Sequence, residues 1–256
     1  MTSSASPGTG PASAAPLIAQ RGYPRRYPEN TLEGIEAALR AGARYVAFDV
    51  QLTAERVPVL FRDASLLRAT GRRGRIVQTP LERVRRLCPN EPGRFRQRFT
   101  KVAVPTLEEA VELLRQRPEV TAFVWLGQES LEAHGREKAL KAVVPVLEPL
   151  GRRCVLASAD VLALRTGRAM GLARIAWELP RGDAEARSRA ASLVPDYLVT
   201  RPPLPEEGLW QGPWRWIFTE VARLAEAREL LASGADLVAT PAIGELLKAL
   251  REPVPS

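Results

Sequence analysis

Four short motifs in the first quarter of the chain carry residues that could bind phosphate or a metal ion. The motifs are QRG at 20–22, PENT at 28–31, FDVQLT at 48–53 and VPVLFRD at 57–63. Arg21 and Arg62 supply guanidinium groups, which pair well with phosphate oxygens. Glu29 and Asp49 supply carboxylates, the ligands that Mg²⁺ and Ca²⁺ prefer. These residue types could therefore bind phosphate or a divalent cation if the fold brings them together.

The inventory of histidine and cysteine limits this chemistry. The 256 residues include one histidine, His134, and two cysteines, Cys88 and Cys154. A disulfide scaffold and a Cys/His zinc site are therefore not expected. A mechanism that needs two histidines cannot operate within this chain. His134 lies in SLEAHGREKAL, a segment predicted to be an exposed outer helix.

Apolar runs alternate with helical patterns and define the elements that must position these residues. Asn30 is a candidate cap for a helix over 30–42, and Thr106 with Glu109 forms a capping box for a helix over 105–118. The eight strand candidates are 17–22, 45–50, 120–126, 154–158, 174–179, 196–200, 215–219 and 235–240. A ninth apolar piece, 57–63, follows the second strand too closely for a crossover helix and is expected to return as a hairpin.

Continuous apolar strands separated by helices are typical of a parallel sheet covered on both faces. The fold class predicted is α/β, a (β/α)8 TIM barrel over 17–251, with the hairpin and an Arg-rich insertion at its C-terminal face after the second strand. Residues 1–16 are small, polar and Pro-rich and are expected to be disordered. Residues 252–256 form a short tail. Few cysteines and no signal-peptide pattern favour the cytoplasm.

Positive charge is concentrated in one segment. Residues 62–101 contain eleven arginines and one lysine against three acidic residues, a net charge of +9 within a chain of net charge +8. Two interpretations are open: a solvated insertion, or a basic rim at a net-positive barrel mouth that attracts phosphates, an anionic membrane surface or nucleic acid. No aromatic-rich or zinc-finger pattern accompanies the arginines, so sequence-specific nucleic-acid binding is not expected.

The four motifs together resemble the glycerophosphodiester phosphodiesterase family. In that family a strand ends in His-Arg-Gly, Pro-Glu-Asn-Thr opens the first helix, a Glu-x-Asp strand follows, and a hairpin returns to a His-Asp pair. Later segments match in order and spacing: VPTLEEAVELL at 104–114, IFTEV at 217–221 and GADLVATP at 234–241. The resemblance implies a TIM barrel of lipid metabolism that cleaves phosphodiesters with a divalent cation and two histidines.

The residues that the resemblance assigns to this chemistry are largely replaced. The two histidine positions are Gln20 and Arg62, and two carboxylate positions are Ala47 in the second strand and Val124 in the third. An amide cannot take up a proton near neutral pH, and arginine stays protonated. Whether the chain is an enzyme is therefore open, and no residue is assigned as catalytic.

The retained residues admit two interpretations. Arg21 and Arg62 are candidate phosphate ligands, and Glu29 and Asp49 are candidate ligands for a weak or vestigial metal site. Alternatively, Arg21 pairs with the two carboxylates as a structural network. For Arg62 we expect either a guanidinium near Asp49 and Glu29 that partly replaces the charge of the metal, or a side chain in solvent.

Three functions follow from these interpretations. The first is a degenerate member of the family, a pseudoenzyme without a tightly bound cofactor, that binds a phosphorylated small molecule or a partner. The second is an active hydrolase that uses Mg²⁺ or Ca²⁺ and reassigned carboxylates to convert glycerophosphodiesters to sn-glycerol 3-phosphate and an alcohol. The third is a binder of an anionic membrane surface or nucleic acid through 62–101.

Overall fold

A computed structural model describes residues 15–180, 182–205 and 208–251. The tail predicted at 1–16 lies outside the described residues except for 15 and 16, and the tail at 252–256 lies wholly outside them.

Eight parallel strands of the described chain close into a barrel, which confirms the predicted TIM-barrel fold. The ring closes because the first strand pairs with both the second and the last. Its strands are β1 Leu17–Gln20, β2 Tyr45–Leu52, β4 Thr121–Leu126, β5 Cys154–Ser158, β6 Ile175–Glu178, β7 Tyr197–Thr200, β8 Arg215–Phe218 and β9 Leu237–Thr240. All eight lie within one or two residues of the apolar runs that predict them.

Helices cover the barrel and fill the insertion after β2. They are α1 Leu32–Arg40, α2 Leu67–Thr70, α3 Leu81–Arg85, α4 Leu107–Arg115, α5 Gln128–His134, α6 Arg136–Leu147, α7 Val161–Ala169, α8 Ala184–Leu193, α9 Leu224–Ala232 and α10 Ile243–Arg251. The capping box of α4 is confirmed, since Thr106 and Glu109 bond reciprocally to each other's backbone N–H groups. The cap predicted for α1 was wrong by one residue: Thr31, rather than Asn30, accepts the hydrogen bond from the N–H of Gly34.

The barrel interior is filled by alanine, aliphatic and aromatic side chains that face inward at alternate positions. Phe123 and Tyr197 meet at its centre, with ring centroids 5.1 Å apart in an edge-to-face arrangement. Ala47 lies in the same inner layer, while Val46 and Phe48 belong to the layer between the strands and helices. This alternation decides which residues of each strand reach the mouth of the barrel.

The Arg-rich insertion folds around an apolar core of its own. The predicted hairpin is present: β3, Pro58–Leu60, pairs antiparallel with β2. Behind it are a 3₁₀ turn at Ile76–Gln78 and a π-helical turn at Glu91–Phe95. The apolar core of the insertion consists of Val59, Phe61, Leu66, Ala69, Ile76, Val77, Val84 and Val104. Apolar residues therefore face inward in this segment, and most of its arginines face solvent.

Candidate active site

A cavity of about 210 Å³ opens where the carboxyl ends of the barrel strands meet. Its charged and polar lining comes from the carboxyl ends of β1 to β8 and the loops that follow them. These residues are Gln20, Arg21, Asp49, Arg62, Gln128, Ser158, Glu178, Arg201, Thr219 and Glu220, joined by the aromatic Trp125. Four residues that the sequence analysis selected, Gln20, Arg21, Asp49 and Arg62, thus lie together here.

Arg21 is held in the floor of the cavity by its backbone and its side chain. It follows β1 in a left-handed conformation (φ 56°), and its N–H donates to the carbonyl of Ala47 at 2.7 Å. Its Nε donates to Oδ2 of Asp49 at 2.9 Å, and its Nη2 donates to Oε1 of Glu220 at 2.7 Å. Burial alone would lower the pKa of Arg21, but the surrounding carboxylates raise it above its ordinary value. This guanidinium is therefore a permanent cation between two acids.

Asp49 is fixed by a reciprocal pair of hydrogen bonds with Asn30. The Asn30 amide donates to Oδ2 of Asp49 at 3.0 Å and accepts from the Asp49 N–H at 2.9 Å. Burial raises the pKa of Asp49 above its ordinary value, and it outweighs the opposing effect of Arg21. The nearby arginines do lower the pKa of this acid, but desolvation is the larger effect here.

Glu29 lies behind the cavity wall and is paired with an arginine of the insertion. Its side chain is 8% exposed and accepts a hydrogen bond from Nη2 of Arg68, while Nη1 of Arg21 lies 3.7 Å from its Oε2. The same Arg68 guanidinium bonds to Asp63 and lies 3.7 Å from the buried Glu91. Glu91 in turn accepts the N–H of Glu29 at 2.8 Å. The insertion is thereby fastened to the loop that precedes α1.

Gln20 and Arg62, which the sequence analysis placed at the two motif histidine positions, both line the cavity. Oε1 of Gln20 accepts the N–H of Glu220 at 3.0 Å, so the amide holds the loop after β8. Arg62 is 39% exposed, and its Nη2 lies 3.9 Å from Oε1 of Glu220. The cations bonded to Asp49 and Glu29 are thus Arg21 and Arg68. Of the two alternatives for Arg62, neither holds in full, because its guanidinium is partly exposed and lies beside Glu220. Arg62 acts on Asp49 only as a nearby charge that lowers its pKa.

The far wall of the cavity is built from residues that the sequence analysis did not select. Nε1 of Trp125 donates to Oε2 of Glu178 at 3.2 Å, across the small side chains that end β5. Nη2 of Arg201 lies 3.8 Å from Oε1 of Glu178. Glu178 is the last residue of β6, and Arg201 and Glu220 follow β7 and β8 by one and two residues. Position at a strand end was the signal that could have identified all three.

His134 lies away from this cavity, at the end of α5 and before the break at Gly135. It is between the third and fourth barrel strands, as expected, but it is half-buried rather than exposed. Burial lowers the pKa of His134 below its ordinary value. This histidine therefore cannot serve the cavity as an acid or a base.

The comparison with protein families decides the identity of the fold. The sequence profile of the glycerophosphoryl diester phosphodiesterase family matches residues 21–180, well over half of the chain. The chain belongs to this family. A glycerophosphodiester phosphodiesterase from Caldanaerobacter subterraneus is 26% identical over 92% of this chain and 98% of its own length. The mouse glycerophosphodiester phosphodiesterase 1 is 42% identical over 38% of this chain, and the match spans 30% of the mouse protein.

Solved structures of family members share the architecture. A phosphodiesterase from Oleispira antarctica, solved with its product sn-glycerol-3-phosphate, superposes with a TM-score of 0.81 at 23% identity, over 93% of this chain and 98% of that one. A family structure from Silicibacter pomeroyi superposes with a TM-score of 0.76 at 23% identity, over 94% and 95% of the two chains. Among the described residues of the present chain, no helix is long and apolar enough to cross a membrane.

Members of the glycerophosphoryl diester phosphodiesterase family generally depend on Ca²⁺ or Mg²⁺, and the donor set of this chain does not fit such an ion. Within the described ranges, no three Asp, Glu, His or Cys side chains are grouped closely enough to hold a metal. Ca²⁺ takes six to eight oxygen ligands. Here the candidate ligands Asp49 and Glu29 are already bonded to Arg21 and Arg68. The two carboxylates are therefore neutralised by guanidinium groups of the chain itself.

The position assigned to the missing family glutamate in the third barrel strand needs correction. Val124 was placed there, but it lies in the layer between strands and helices, facing away from the cavity. In the register of β2 with β4, Ala47 pairs with Phe123 and Asp49 pairs with Trp125. Phe123 and Trp125 are thus the inward positions beside the motif carboxylate. Neither can bind a cation through oxygen.

The charges that line the cavity balance one another. Arg21, Arg62 and Arg201 face the three carboxylates of Asp49, Glu178 and Glu220. The expectation of a net-positive mouth is therefore not met by these lining residues. The positive excess lies further out, where Arg72, Arg73, Arg83, Arg96 and Arg98 are exposed on the insertion.

Proposed function

We propose that this chain is a catalytically degenerate member of the glycerophosphoryl diester phosphodiesterase family that binds a phosphorylated small molecule without hydrolysing it. The observation that carries the proposal is that guanidinium groups already occupy both candidate metal ligands: Arg21, which the family motif shares, bonds Asp49, and Arg68 bonds Glu29. The positions of both acid–base histidines are Gln20 and Arg62, neither of which can exchange a proton near neutral pH.

Two arginines support phosphate binding. Arg62 and Arg201 point into the cavity, and within the described part of the chain their guanidinium groups form no hydrogen bond, only ion contacts at 3.9 and 3.8 Å. Their donors remain available to phosphate oxygens. Arg21, by contrast, already donates to two carboxylates and acts as the support of the site. The phosphate ligands in this proposal are therefore Arg62 and Arg201, with Arg21 below them.

Calorimetry with glycerol 3-phosphate tests the binding. We expect Arg62→Gln and Arg201→Gln each to weaken binding about tenfold or more, the effect of losing a charged hydrogen bond. Arg83→Gln is the matched control, because Arg83 is exposed on the insertion and lies outside the cavity lining. Equal losses in all three variants would show nonspecific attraction and contradict the site.

A turnover assay tests the lost hydrolysis. Purified protein is given glycerophosphocholine with Mg²⁺, Ca²⁺ or Mn²⁺, beside an active family member and the variant Gln20→His, Ala47→Glu, Arg62→His. One positioned acid or base contributes about 10² to 10⁴ in rate, so we expect turnover far below that of the active member. Metal-dependent turnover within about tenfold of the active member, abolished by Asp49→Ala, would contradict the proposal.

Hydrolysis by reassigned carboxylates is a second candidate, and the two acids bonded to Arg21 favour it. Burial raises the pKa of Asp49, whereas for Glu220 the nearby arginines overcome burial and lower its pKa. Two acids with separated pKa values can act as acid and base. The expected result is metal-dependent release of sn-glycerol 3-phosphate and an alcohol that both Asp49→Asn and Glu220→Gln abolish.

Binding of an anionic surface is a third candidate, favoured by the exposed arginines of 62–101. Of these, Arg72, Arg73, Arg83 and Arg96 form no ion pair with any described residue. Co-sedimentation with phosphatidylserine vesicles that disappears at high salt would support it.

We also propose that the protein is cytoplasmic. The assignment is supported by Cys88 and Cys154, which are both free thiols.

A further inference from the structure

We propose that the amino-terminal end of the barrel, opposite the cavity, holds a second binding site, which takes a small tetrahedral oxyanion of the phosphate type. Its ligands are the guanidinium groups of Arg174 and Arg215 and the phenol of Tyr197. The site goes beyond the proposed function, since none of these three residues lines the cavity at the other end of the strands.

The first argument is the direction of these side chains. Tyr197 belongs to the inner layer of the barrel, and in the register of β7 with β8 it pairs with Arg215. Arg174 precedes β6 by one residue and lies two residues before the inward-facing Ala176. Because side chains alternate between the two faces of a strand, both arginines lie on the inward face. Their Cζ atoms accordingly lie 5.1 Å (Arg174) and 5.7 Å (Arg215) from the centre of the Tyr197 ring.

The second argument is an excess of hydrogen-bond donors. Arg174 donates to the Tyr197 hydroxyl through Nη2 and to the carbonyl of Arg152 through Nη1. The hydroxyl proton of Tyr197 has no acceptor among the described residues, although this residue is only 1% exposed. The Nη groups of Arg215 also donate to no described residue, and its hydrogen bond to Asp236, at 3.1 Å, comes from Nε. An oxyanion offers only acceptors, so it matches this set of donors.

The third argument is uncompensated positive charge. Within the described ranges Arg174 forms no ion pair, and its hydrogen bonds go to neutral groups. The acids at this end, Asp196 and Asp236, each accept a backbone N–H from the neighbouring strand, at 2.9 and 2.7 Å. Burial raises the pKa of Tyr197 although both arginines lower it, so the phenol keeps its proton at neutral pH and can donate. A bound oxyanion would balance the charge that Arg174 leaves uncompensated.

The barrel interior is the reason that this arrangement needs a ligand. Inward positions of such barrels are dominated by bulky branched apolar residues, and the layers nearer the centre here follow that rule with Val155, Val199 and Ile217. Arg174 and Arg215 break it at the amino-terminal end. Two guanidinium groups facing one buried ring repel each other, and an anion between them removes that repulsion.

Calorimetry with inorganic phosphate at constant ionic strength tests the site. The starting protein is Arg62→Gln combined with Arg201→Gln, which removes the phosphate ligands proposed at the mouth. This double variant should still bind phosphate at the amino-terminal end. Acetate, which is planar and has two oxygens, should bind it more weakly.

Three substitutions in this double variant then locate the binding. Arg174→Gln and Arg215→Gln should each weaken it about tenfold, the effect of losing a charged hydrogen bond. Tyr197→Phe keeps the ring and removes only the hydroxyl, so it should fold and weaken binding about three- to tenfold. Arg117→Gln is the matched control and should change nothing, because Arg117 is exposed at the same end and forms no ion pair with any described residue.

The outcomes separate this site from the proposed function. Loss of all phosphate binding in the mouth double variant would overturn the site and leave the proposed function intact. Equal phosphate binding by the wild type and that double variant would contradict phosphate binding at the mouth and leave this site standing. Binding that Tyr197→Phe leaves unchanged, or that Arg117→Gln weakens equally, would show nonspecific attraction and overturn the site. Tyr197→Phe alone decides if the arginine variants do not fold, and equal affinities for phosphate and acetate would overturn the assignment to a tetrahedral ion.

Discussion

Replacing Arg21 by leucine tests whether guanidinium groups hold the mouth of this barrel together. The Arg21 side chain is 12% exposed and contacts Asp49 at 2.9 Å, Glu220 at 2.7 Å and Glu29 at 3.7 Å. Leucine keeps most of the apolar volume but leaves these carboxylates facing one another. Removing one partner of a buried ion pair costs about 3–5 kcal/mol, because the remaining charge is uncompensated. We therefore expect a loss of this size at pH 7, or a fall in Tm of about 6–20 °C.

The loss in the Arg21→Leu variant should depend on pH in a defined direction. The pKa of Asp49 is raised in the folded protein, so its stability contribution is complete below the unfolded pKa and is lost as pH rises through the folded value. Without Arg21 that pKa rises further. The difference between variant and wild type should therefore shrink as pH falls below about 4, where Asp49 is protonated in both folded and unfolded states.

Urea melts followed by circular dichroism measure these differences, and a double-mutant cycle isolates the pair. Arg21→Leu combined with Asp49→Asn should be more stable than Arg21→Leu alone, because the uncompensated charge is gone. A loss at pH 7 no greater than about 0.5 kcal/mol, the level of an ordinary surface substitution, would refute the reasoning. Arg21→Lys keeps the charge but not the forked geometry. Its free energy of unfolding should therefore lie between those of the wild type and Arg21→Leu.

Two further predictions concern the same mouth. Gly22 has φ +82°, and a Cβ there would lie 2.7 Å from the carbonyl carbon of Gly34. Gly22→Ala should therefore destabilise the fold by about 1–3 kcal/mol. An unchanged Tm would contradict this and show that α1 can move away. The pKa of Glu220 is lowered in the folded protein, so its stability contribution is present above the unfolded pKa and is lost as pH falls through the folded value. Glu220→Gln should therefore be less stable than the wild type at pH 7 and equal to it in strong acid, and a difference in urea midpoint that does not change with pH would contradict this.

The barrel could be predicted from the sequence because each strand is a short apolar run bounded by a helix signal. It was harder to predict which residues of each strand face the cavity. Val124 was assigned to the cavity, but a shift of one residue along a strand moves a side chain to the opposite face, and Trp125 is the inward position. Asn30 resembled a helix cap, yet it has a positive φ and its side chain is used to hold Asp49.

The partners of the motif carboxylates could not be predicted from local pattern. Eleven arginines follow within 62–101, and sequence spacing does not determine which of them reaches Glu29. Arg68 does so because the hairpin and the core of the insertion place α2 beside the loop before α1. Glu178 and Glu220 come from distant parts of the chain. Only closure of the barrel brings them to the site, although their positions at strand ends were visible in the sequence.

The positive charges that neutralise Asp49 and Glu29 belong to side chains of the protein, Arg21 and Arg68, and not to a bound ion. A bound Ca²⁺ or Mg²⁺ exchanges with solution, so the order of a site built on it depends on the free ion concentration and is lost to a chelator. Arg21 and Arg68 cannot dissociate, and they stay protonated across the physiological pH range. The mouth of this barrel should therefore keep the same shape in EDTA as in millimolar Ca²⁺. Its ligand would meet the same preformed site however much divalent metal surrounds the protein.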